Sequence, residues 1–437
     1  MLSQASVRFT MHKLLVIQVA GFGHAFATEH GITEVAGLAL RPLQTIFPAV
    51  TCPVQATLRT GLLPAQHGMV ANGFFDPVLR RPWFWEQASS LVQGPRIWER
   101  FRARGGSVGM AFFQQSLGES VDQILSPAPI HTHGGGMIMG CYSQPPALAT
   151  RWADAVGRPF KLRHYWGPLA SVQGSEWITK AVCSWLSMLD TPDLCFVYLP
   201  GLDYDLQRWG PKHPKSVKAL KIVCDEVSRL IRAAQANGYE VAAFGDYAIT
   251  PVTKGAIFPN RALREAGLFS VRKVRHMAYP DFHTSQAFAL VDHQVALVHC
   301  PDAAVLPHLK QTLAALDGVG QVLDREAQTQ LGVAHARSGE VMLVAEPGAW
   351  FAYPWWDDPR EAPDYAAHVD IHNKPGYDPC ELFFGQTPFR TSLHPERIRG
   401  THGLTGEDCK TAYLSTMPFE CSTLIELIHA LRGWLSA

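Results

Sequence analysis

Three apolar runs, each followed by a turn, constrain the fold of this chain more than any other feature. They span Lys13–Val19, Leu194–Leu199 and residues 239–244. Continuous apolar runs are typical of strands buried on both faces of a parallel sheet. Apolar residues recur at helical spacing over residues 217–231, and Asn-Gly at 237–238 ends that pattern. This alternation predicts an α/β fold with a doubly wound, mostly parallel central sheet sandwiched by helices.

A hydroxyl or an acidic side chain lies at several of the predicted strand ends. Thr51 precedes Pro53, which fits the first turn of a helix, and Gly61 fits the end of that helix. Asp203 follows the second apolar run, and Asp246 follows the third. In doubly wound sheets the loops after the strand ends form the active site. Thr51, Asp203 and Asp246 are therefore candidate site residues.

Residues 259–366 are less regular than the rest of the chain. They contain short strand-like runs at 286–291 and 294–299 and a helical pattern at 306–316. We interpret this segment as a small α+β cap subdomain that is inserted into the core. The α/β core would then comprise residues 11–258 and 367–437, because a chain of 437 residues is long for one simple core.

Composition excludes several classes of partner. Lys and Arg total 38, as do Asp and Glu, and this balance argues against binding a nucleic-acid polymer. No apolar run reaches the roughly 18 residues that cross a bilayer, so no membrane partner is expected. The nine cysteines are scattered without a CxxC pair and are interpreted as buried thiols in a reducing cytoplasm. The oligomeric state is not indicated.

Two later segments add further candidate ligands for a metal ion. Asp370 and His372 lie two residues apart, and His402 lies in a Gly-Thr-His-Gly run. Asp and His side chains that converge on one face of a sheet can hold a divalent ion. Such an ion lowers the pKa of a neighbouring hydroxyl and neutralises an anionic substrate. An activated hydroxyl and a cation that are held in a fixed geometry indicate phosphoryl transfer.

Four motifs resemble the nucleotide pyrophosphatase/phosphodiesterase branch of the alkaline phosphatase superfamily. Thr51-Cys-Pro is followed by T-G-L-L-P-A-Q-H-G at 60–68 and then by Asn72. The other three motifs begin at Asp203, Asp246 and Gly400, in the family's order along nearly the whole chain. The resemblance implies an alkaline-phosphatase-like core. It also implies a metal-dependent hydrolase of phosphodiester or pyrophosphate bonds in small, nucleotide-like phosphate esters.

The resemblance also implies roles for individual residues. Thr51 would be the nucleophile that forms a phospho-threonine intermediate. Asn72 and the Thr51 N–H would hold the non-bridging oxygens. Asp203, Asp246 and His402 would bind one or two divalent ions. Zinc is the expected ion, and manganese is the alternative. His67, in the His-Gly pair, is expected to be structural.

Three metal-ligand positions of the family carry other residues here, namely Ala20, Gln207 and Tyr247. Alanine cannot bind a metal, glutamine is a weak ligand, and tyrosine binds only as phenolate, from a pKa of about 10. In one interpretation Asp370 and His372 supply the lost groups, which gives an altered metal site. In another the site is degenerate, and the protein binds a ligand without turnover or acts as a scaffold. Sulfate-ester or phosphonate hydrolysis is a further alternative, because function follows the site and not the fold.

Several of these residues are also compatible with simpler roles. Thr51 can cap a helix, which is the commonest role of threonine at such a turn. Cys52 is more simply a buried, inert thiol than a nucleophile. The pair Asp292-His293 suggests a metal site, but a surface hydrogen bond in the cap is the simpler expectation.

Overall fold

A central sheet of eight strands forms the framework of the protein, in a computed structural model that describes residues 12–133, 136–387 and 390–436. Residue 11, the predicted start of the core, lies just outside these ranges. From edge to edge the strands are Cys141–Gln144, Gln123–Pro127, Val108–Ala111, Leu194–Leu199, Lys13–Val19, Tyr239–Gly245, Thr411–Ser415 and Arg41–Leu43. The five consecutive strands from Gln123–Pro127 to Tyr239–Gly245 are parallel, whereas the other three pair antiparallel at the edges.

Helices connect and cover these strands, which confirms the predicted α/β class. The helices of the described residues are His24–Glu29, Thr51–Thr60, Pro64–His67, Glu99–Ala103, Leu148–Val156, Val172–Leu186, Gly201–Trp209, Pro214–Ala236, Pro259–Glu265, Leu306–Ala314, Arg325–Gln330 and Leu424–Ser436. Two predicted strands match at both ends, and the third extends by one residue to Gly245. Pro214–Ala236 is the predicted amphipathic helix, and its apolar face is buried.

A second sheet of four antiparallel strands lies within residues 259–366. Its order is Phe288–Asp292, Val295–His299, Val341–Ala345 and Val319–Leu323. Its apolar side chains share a buried cluster with Cys52, Ala56 and residues 69–71. The predicted cap segment therefore packs over the start of the helix that begins at Thr51. The exact subdomain boundaries stay a prediction.

Neighbouring central strands bring the predicted site residues to one end of the sheet. Leu194–Leu199 and Tyr239–Gly245 flank Lys13–Val19 on its two sides, in parallel. The helix Gly201–Trp209, which contains Asp203, follows the first of these strands, and Asp246 follows the last. Because parallel strands end on the same side, these residues share one end of the sheet.

All nine cysteines of the chain are free thiols, and six of them are buried. None of the helices in the described ranges combines the length and the apolar character needed to cross a membrane. The cytoplasmic location stays a prediction.

His67 is fully buried and uses both ring nitrogens inside the fold. Nδ1 accepts a hydrogen bond of 3.1 Å from the Met69 N–H, so Nε2 donates to Thr57 Oγ1 at 2.9 Å. Burial, and then the positive charge of Arg59, lower the pKa of His67 to about 3. Protonation would require Nδ1 to give up its bond to Met69.

We predict that His67→Gln flattens the dependence of stability on pH. The folded-state pKa of His67 lies below the value of about 6.5 for an unfolded histidine. Unfolded chains therefore bind more protons, and the free energy of unfolding falls as the pH drops from about 6.5 towards 3. This histidine contributes about 1.4 kcal/mol per pH unit to that slope. Urea unfolding at several pH values measures it; the exposed His308→Gln is the matched control, and equal slopes for both variants would contradict the prediction.

Candidate active site

A cavity of about 310 Å³ opens at the carboxyl end of the central strands. Six of the seven predicted site residues line it: Thr51, Asn72, Asp203, Asp370, His372 and His402. The seventh, Asp246, is fully buried, and its neighbour Tyr247 forms part of the wall. The structure therefore gathers distant parts of the chain around one cavity. The chemical roles of these residues stay predictions.

Thr51 is the first residue of its helix, after an extended Val50. Its side chain is 4% exposed, and its Oγ1 lies 3.5 Å from the hydroxyl of Tyr198. First-turn N–H groups have no partners within a helix, and the helix dipole makes this end positive. Anions are favoured at such a position. The next N–H, that of Cys52, donates to Asn72 Oδ1 at 2.9 Å.

The Cys52 thiol is buried against Gln115, whose Nε2 lies 3.2 Å from Sγ. Burial raises the pKa of Cys52 to about 12. A thiol at this pKa is protonated at neutral pH and is a poor nucleophile. The interpretation of Cys52 as an inert core residue agrees with this environment.

Neutral groups donate hydrogen bonds to both carboxylate oxygens of Asp203. The Tyr247 hydroxyl donates to Oδ1 at 3.0 Å, and Gln207 Nε2 donates to Oδ2 at 2.6 Å. Gln207 Oε1 in turn accepts from the Tyr377 hydroxyl at 3.0 Å. Burial raises the pKa of Asp203 to about 7, and the two donors oppose this rise. Tyr247 and Gln207 are two of the three departures from the family pattern.

Asp246 is held in the same way, without exposure to solvent. Oδ2 accepts from Gln18 Nε2 at 3.0 Å, and Oδ1 accepts from the N–H groups of Gly21 at 3.3 Å and Tyr247 at 2.9 Å. Burial, and after it the nearby Asp203, raise the pKa of Asp246 well above its usual range. Ala20, the third departure, adds no carboxylate to this group.

His402 lies between other rings at the base of the cavity. Its ring stacks on Tyr247 with centroids 3.4 Å apart and lies 3.6 Å from the ring of His293. Nδ1 is 2.8 Å from the carbonyl oxygen of Ala49, to which it donates, and Nε2 is 4.0 Å from Asp203 Oδ1. Burial is the main cause that lowers the pKa of His402 well below its usual range.

Asp370 and His372 line the cavity, and each already has hydrogen-bond partners in the protein. Asp370 Oδ1 accepts from the N–H groups of His372 at 3.3 Å and Asn373 at 3.1 Å, and Oδ2 accepts from the Asn373 side chain at 2.7 Å. His372 Nδ1 lies 3.0 Å from the carbonyl oxygen of Phe84. This arrangement orders residues 370–373 as a turn along the cavity wall.

The donor set does not fit the two-metal centre that the resemblance implies. In the part of the chain that the structure describes, no three His, Cys, Asp or Glu side chains are grouped to hold a metal ion. Amide and phenol donors already bind both oxygens of Asp203 and Oδ2 of Asp246, where the resemblance implies metal ions. The divalent ion stays a prediction from the sequence.

The pair Asp292-His293 is buried, so the expectation of a surface hydrogen bond was wrong. Asp292 is 0% exposed and His293 is 3% exposed, and His293 lines the cavity. His293 Nδ1 lies 2.8 Å from Asp292 Oδ1. The backbone N–H and Nδ2 of Asn72 donate to Asp292 at 2.7 and 3.1 Å. The sequence signal was the wholly apolar strand on each side of this turn, which indicates a buried hairpin.

We predict that restoring the family ligands restores metal binding. The combined substitution Ala20→Asp, Gln207→His and Tyr247→His should raise zinc retained after dialysis to roughly one or two ions per chain, because it replaces neutral donors by ligands that zinc prefers. Elemental analysis of wild type and variant measures this. Tyr247→Phe, which removes one donor and adds no ligand, is the control. Stoichiometric zinc in the wild type that is lost on His402→Ala would contradict our interpretation of the donor set.

A known protein is similar in sequence to part of this chain. An uncharacterized pyrophosphatase/phosphodiesterase of Schizosaccharomyces pombe is 30% identical over 92 residues, which are 20% of this chain and 19% of that protein. The matched stretch therefore spans about a fifth of that relative.

Two solved structures share the fold over nearly their whole length. Murine ectonucleotide pyrophosphatase/phosphodiesterase 5 matches with a TM-score of 0.58 and 16% identity, over 97% of this chain and 95% of that chain. Phosphonoacetate hydrolase from Sinorhizobium meliloti 1021, solved with phosphonoacetate, matches with a TM-score of 0.63 and 16% identity, over 97% and 96%. At these identities the likeness shows the fold alone.

The family is shown by a longer match of the sequence itself. The sequence profile that describes type I phosphodiesterases and nucleotide pyrophosphatases matches residues 30–378. That range includes Thr51, Asn72, Asp203 and Asp246 and ends after the Asp370–His372 turn. The chain therefore belongs to the type I phosphodiesterase/nucleotide pyrophosphatase family.

Proposed function

We propose that this protein hydrolyses phosphodiester or pyrophosphate bonds of small organic phosphates, with Thr51 as the attacking group. The observation that carries this proposal is the position of the Thr51 hydroxyl. It stands at the positive end of a ten-residue helix, on the wall of the cavity, in a chain of this family. An electrophilic phosphorus bound at that helix end would lie next to the hydroxyl.

The proposed reaction has two displacements. The Thr51 oxygen forms a bond to phosphorus while the ester P–O bond breaks, and the leaving oxygen departs with the proton that Thr51 gives up. Water then attacks the phospho-threonine, which releases the phosphorylated product and returns the hydroxyl. The Thr51 N–H and the second hydrogen of Asn72 Nδ2 are available to stabilise the charge on the non-bridging oxygens, since the first hydrogen binds Asp292.

Aromatic walls favour a substrate with a flat or apolar group. Phe113, Trp85, Tyr165 and Trp166 line the cavity beside the polar residues. Aromatic side chains bind such groups by stacking and by excluding water. The structures of similar fold were solved with AMP in the murine case and with phosphonoacetate in the bacterial case. A nucleotide-like ester is the substrate class that we propose for this chain.

A zinc or manganese ion is not used in this proposal. If one were bound, Asp203 and His402 would be its nearest pair of side chains, and it would supply positive charge beside Thr51. The groups that now donate to Asp203 would first have to move. Cytoplasmic location remains part of the proposal and awaits its own test.

We predict that Thr51→Ala lowers kcat on bis(p-nitrophenyl) phosphate by roughly 100-fold or more, because it removes the attacking oxygen. Thr51→Ser keeps a hydroxyl and should retain activity within roughly tenfold. Release of p-nitrophenol measures both, and thermal unfolding shows whether each variant is folded. A Thr51→Ala variant with the wild-type rate would rule out Thr51 as nucleophile.

A second candidate function, ligand binding without turnover, is favoured by the hydrogen bonds of Asp203. A carboxylate that is satisfied by Tyr247 and Gln207 does not need a metal to be stable in the core. This alternative predicts no turnover on a panel of phosphomonoesters, phosphodiesters, sulfate esters and phosphonates. It also predicts that wild type and Thr51→Ala are stabilised equally by the same ligands. Turnover of one class identifies the reaction and excludes this alternative.

A further inference from the structure

His293 lines the cavity and has a buried ring nitrogen without a hydrogen-bond partner from the described residues. Its side chain is 3% exposed and lines the cavity, and Nε2 is the unpartnered atom. A buried polar atom without a partner is costly, so native structures almost always satisfy it with protein, water or ligand. Such an atom on a cavity wall indicates where a bound molecule makes a polar contact.

The hydrogen bonds of Asp292 fix which ring nitrogen carries the proton. Asp292 accepts from the N–H and Nδ2 of Asn72, so both of its oxygens act as acceptors. His293 Nδ1 therefore donates to Asp292 Oδ1 across 2.8 Å. In this tautomer Nε2 carries a lone pair and accepts hydrogen bonds.

The ring of His293 is also fixed in position. It stacks on Tyr377 with centroids 3.9 Å apart, and its other neighbour is His402 at 3.6 Å. The backbone of His293 has a φ of 57°, a left-handed conformation that is uncommon for residues other than glycine. Its carbonyl accepts from the Phe351 N–H at 2.7 Å. The left-handed turn, this hydrogen bond and the two neighbouring rings together fix the position of the His293 ring.

Polar neighbours in the cavity wall are already engaged elsewhere. The hydroxyl of Tyr377 donates to Gln207, and the hydroxyl of Tyr247 donates to Asp203. Gln207 donates to Asp203 as well. Each tyrosine hydroxyl has a single hydrogen, so neither can turn to His293 without leaving another buried atom unsatisfied. The partner of Nε2 is therefore expected to enter the cavity from outside.

We propose that His293 Nε2 accepts a hydrogen bond from an O–H group of the bound molecule, so that the Asp292–His293 pair selects ligands that carry such a group. Two sources offer this chemistry: a P–O–H group and an alcohol hydroxyl on the organic part. The pair is joined to the start of the Thr51 helix through Asn72, which binds both Cys52 N and Asp292. This inference rests on the proposed function only for placing the phosphorus near Thr51.

Three non-hydrolysed probes of equal charge test the proposal. They are the phenylphosphonic acid monoanion, which has a P–O–H group, methyl(phenyl)phosphinate, which has no O–H group, and 2-hydroxyethyl(phenyl)phosphinate, which has an alcohol; none of the three contains a P–O–C ester bond. Dissociation constants are measured by calorimetry on the full chain. Wild type is expected to bind at least one O–H probe roughly three- to tenfold more tightly than methyl(phenyl)phosphinate. The probe that is preferred identifies the source of the hydroxyl.

Two variants separate this role from a structural one. His293→Asn keeps a residue that tolerates the left-handed backbone but shortens the side chain, and it should bind all three probes equally. Asp292→Asn places an amide donor beside Nδ1, which makes Nε2 a donor and should shift the preference towards methyl(phenyl)phosphinate. Thermal unfolding confirms that each variant is folded.

The outcomes are distinct from those of the hydrolase test. Wild type that does not discriminate between the probes, or binds none of them, overturns the inference. A His293→Asn variant that weakens all three probes by the same factor also overturns it, because the effect then comes from the fold. If Thr51→Ala loses turnover but keeps the preference between the probes, the role of His293 stands. If wild type turns over substrate but shows no preference between the probes, only the role of His293 is contradicted.

Discussion

The hydrogen bonds that Tyr247 and Gln207 donate to Asp203 determine the character of the whole site. An ionised carboxylate in the core needs either a cation or several donors, because its desolvation costs several kcal/mol. Here neutral side chains provide the donors, and burial raises the pKa of Tyr247 well above its usual range, so its hydroxyl keeps the proton that it donates. These donors offset part of the desolvation cost of the carboxylate, and burial still raises the pKa of Asp203 to about 7.

The donors of Asp203 belong to a continuous network of hydrogen bonds and ring contacts. Tyr377 binds Gln207 and stacks on His293, which in turn contacts His402. Asp292 and Asn72 connect His293 to the helix that begins at Thr51. Residues from the core and from the cap segment therefore share one hydrogen-bonded wall. A change at one member would affect the others, because the members share hydrogen bonds and ring contacts in the core.

The sequence predicted the features that depend on local patterns. Lys13–Val19 and Leu194–Leu199 were predicted because continuous apolar runs of their length are typical of buried strands, and Thr51, Asp203 and His402 because they lie in spaced motifs. The antiparallel edge strand Arg41–Leu43 was missed because it has three residues and no periodicity. His293 was misjudged because an Asp-His pair in a turn is normally exposed. Its burial depends on Asn72, which is more than 200 residues away and contacts Asp292 only in the folded chain.

The same network also limits what the cavity can bind. Tyr247 and Gln207 donate to Asp203, and Tyr377 donates to Gln207. The remaining polar groups of the residues that line the cavity include the acceptor Nε2 of His293 and the hydroxyl of Thr51. A fully ionised phosphate offers only acceptors and so cannot satisfy Nε2, whereas a ligand with an O–H group can. The neutral donors on Asp203 and the proposed selection of a hydroxyl-bearing ligand are therefore two consequences of one arrangement. In such a site, discrimination comes from leaving a buried acceptor unpaired with the wrong ligand.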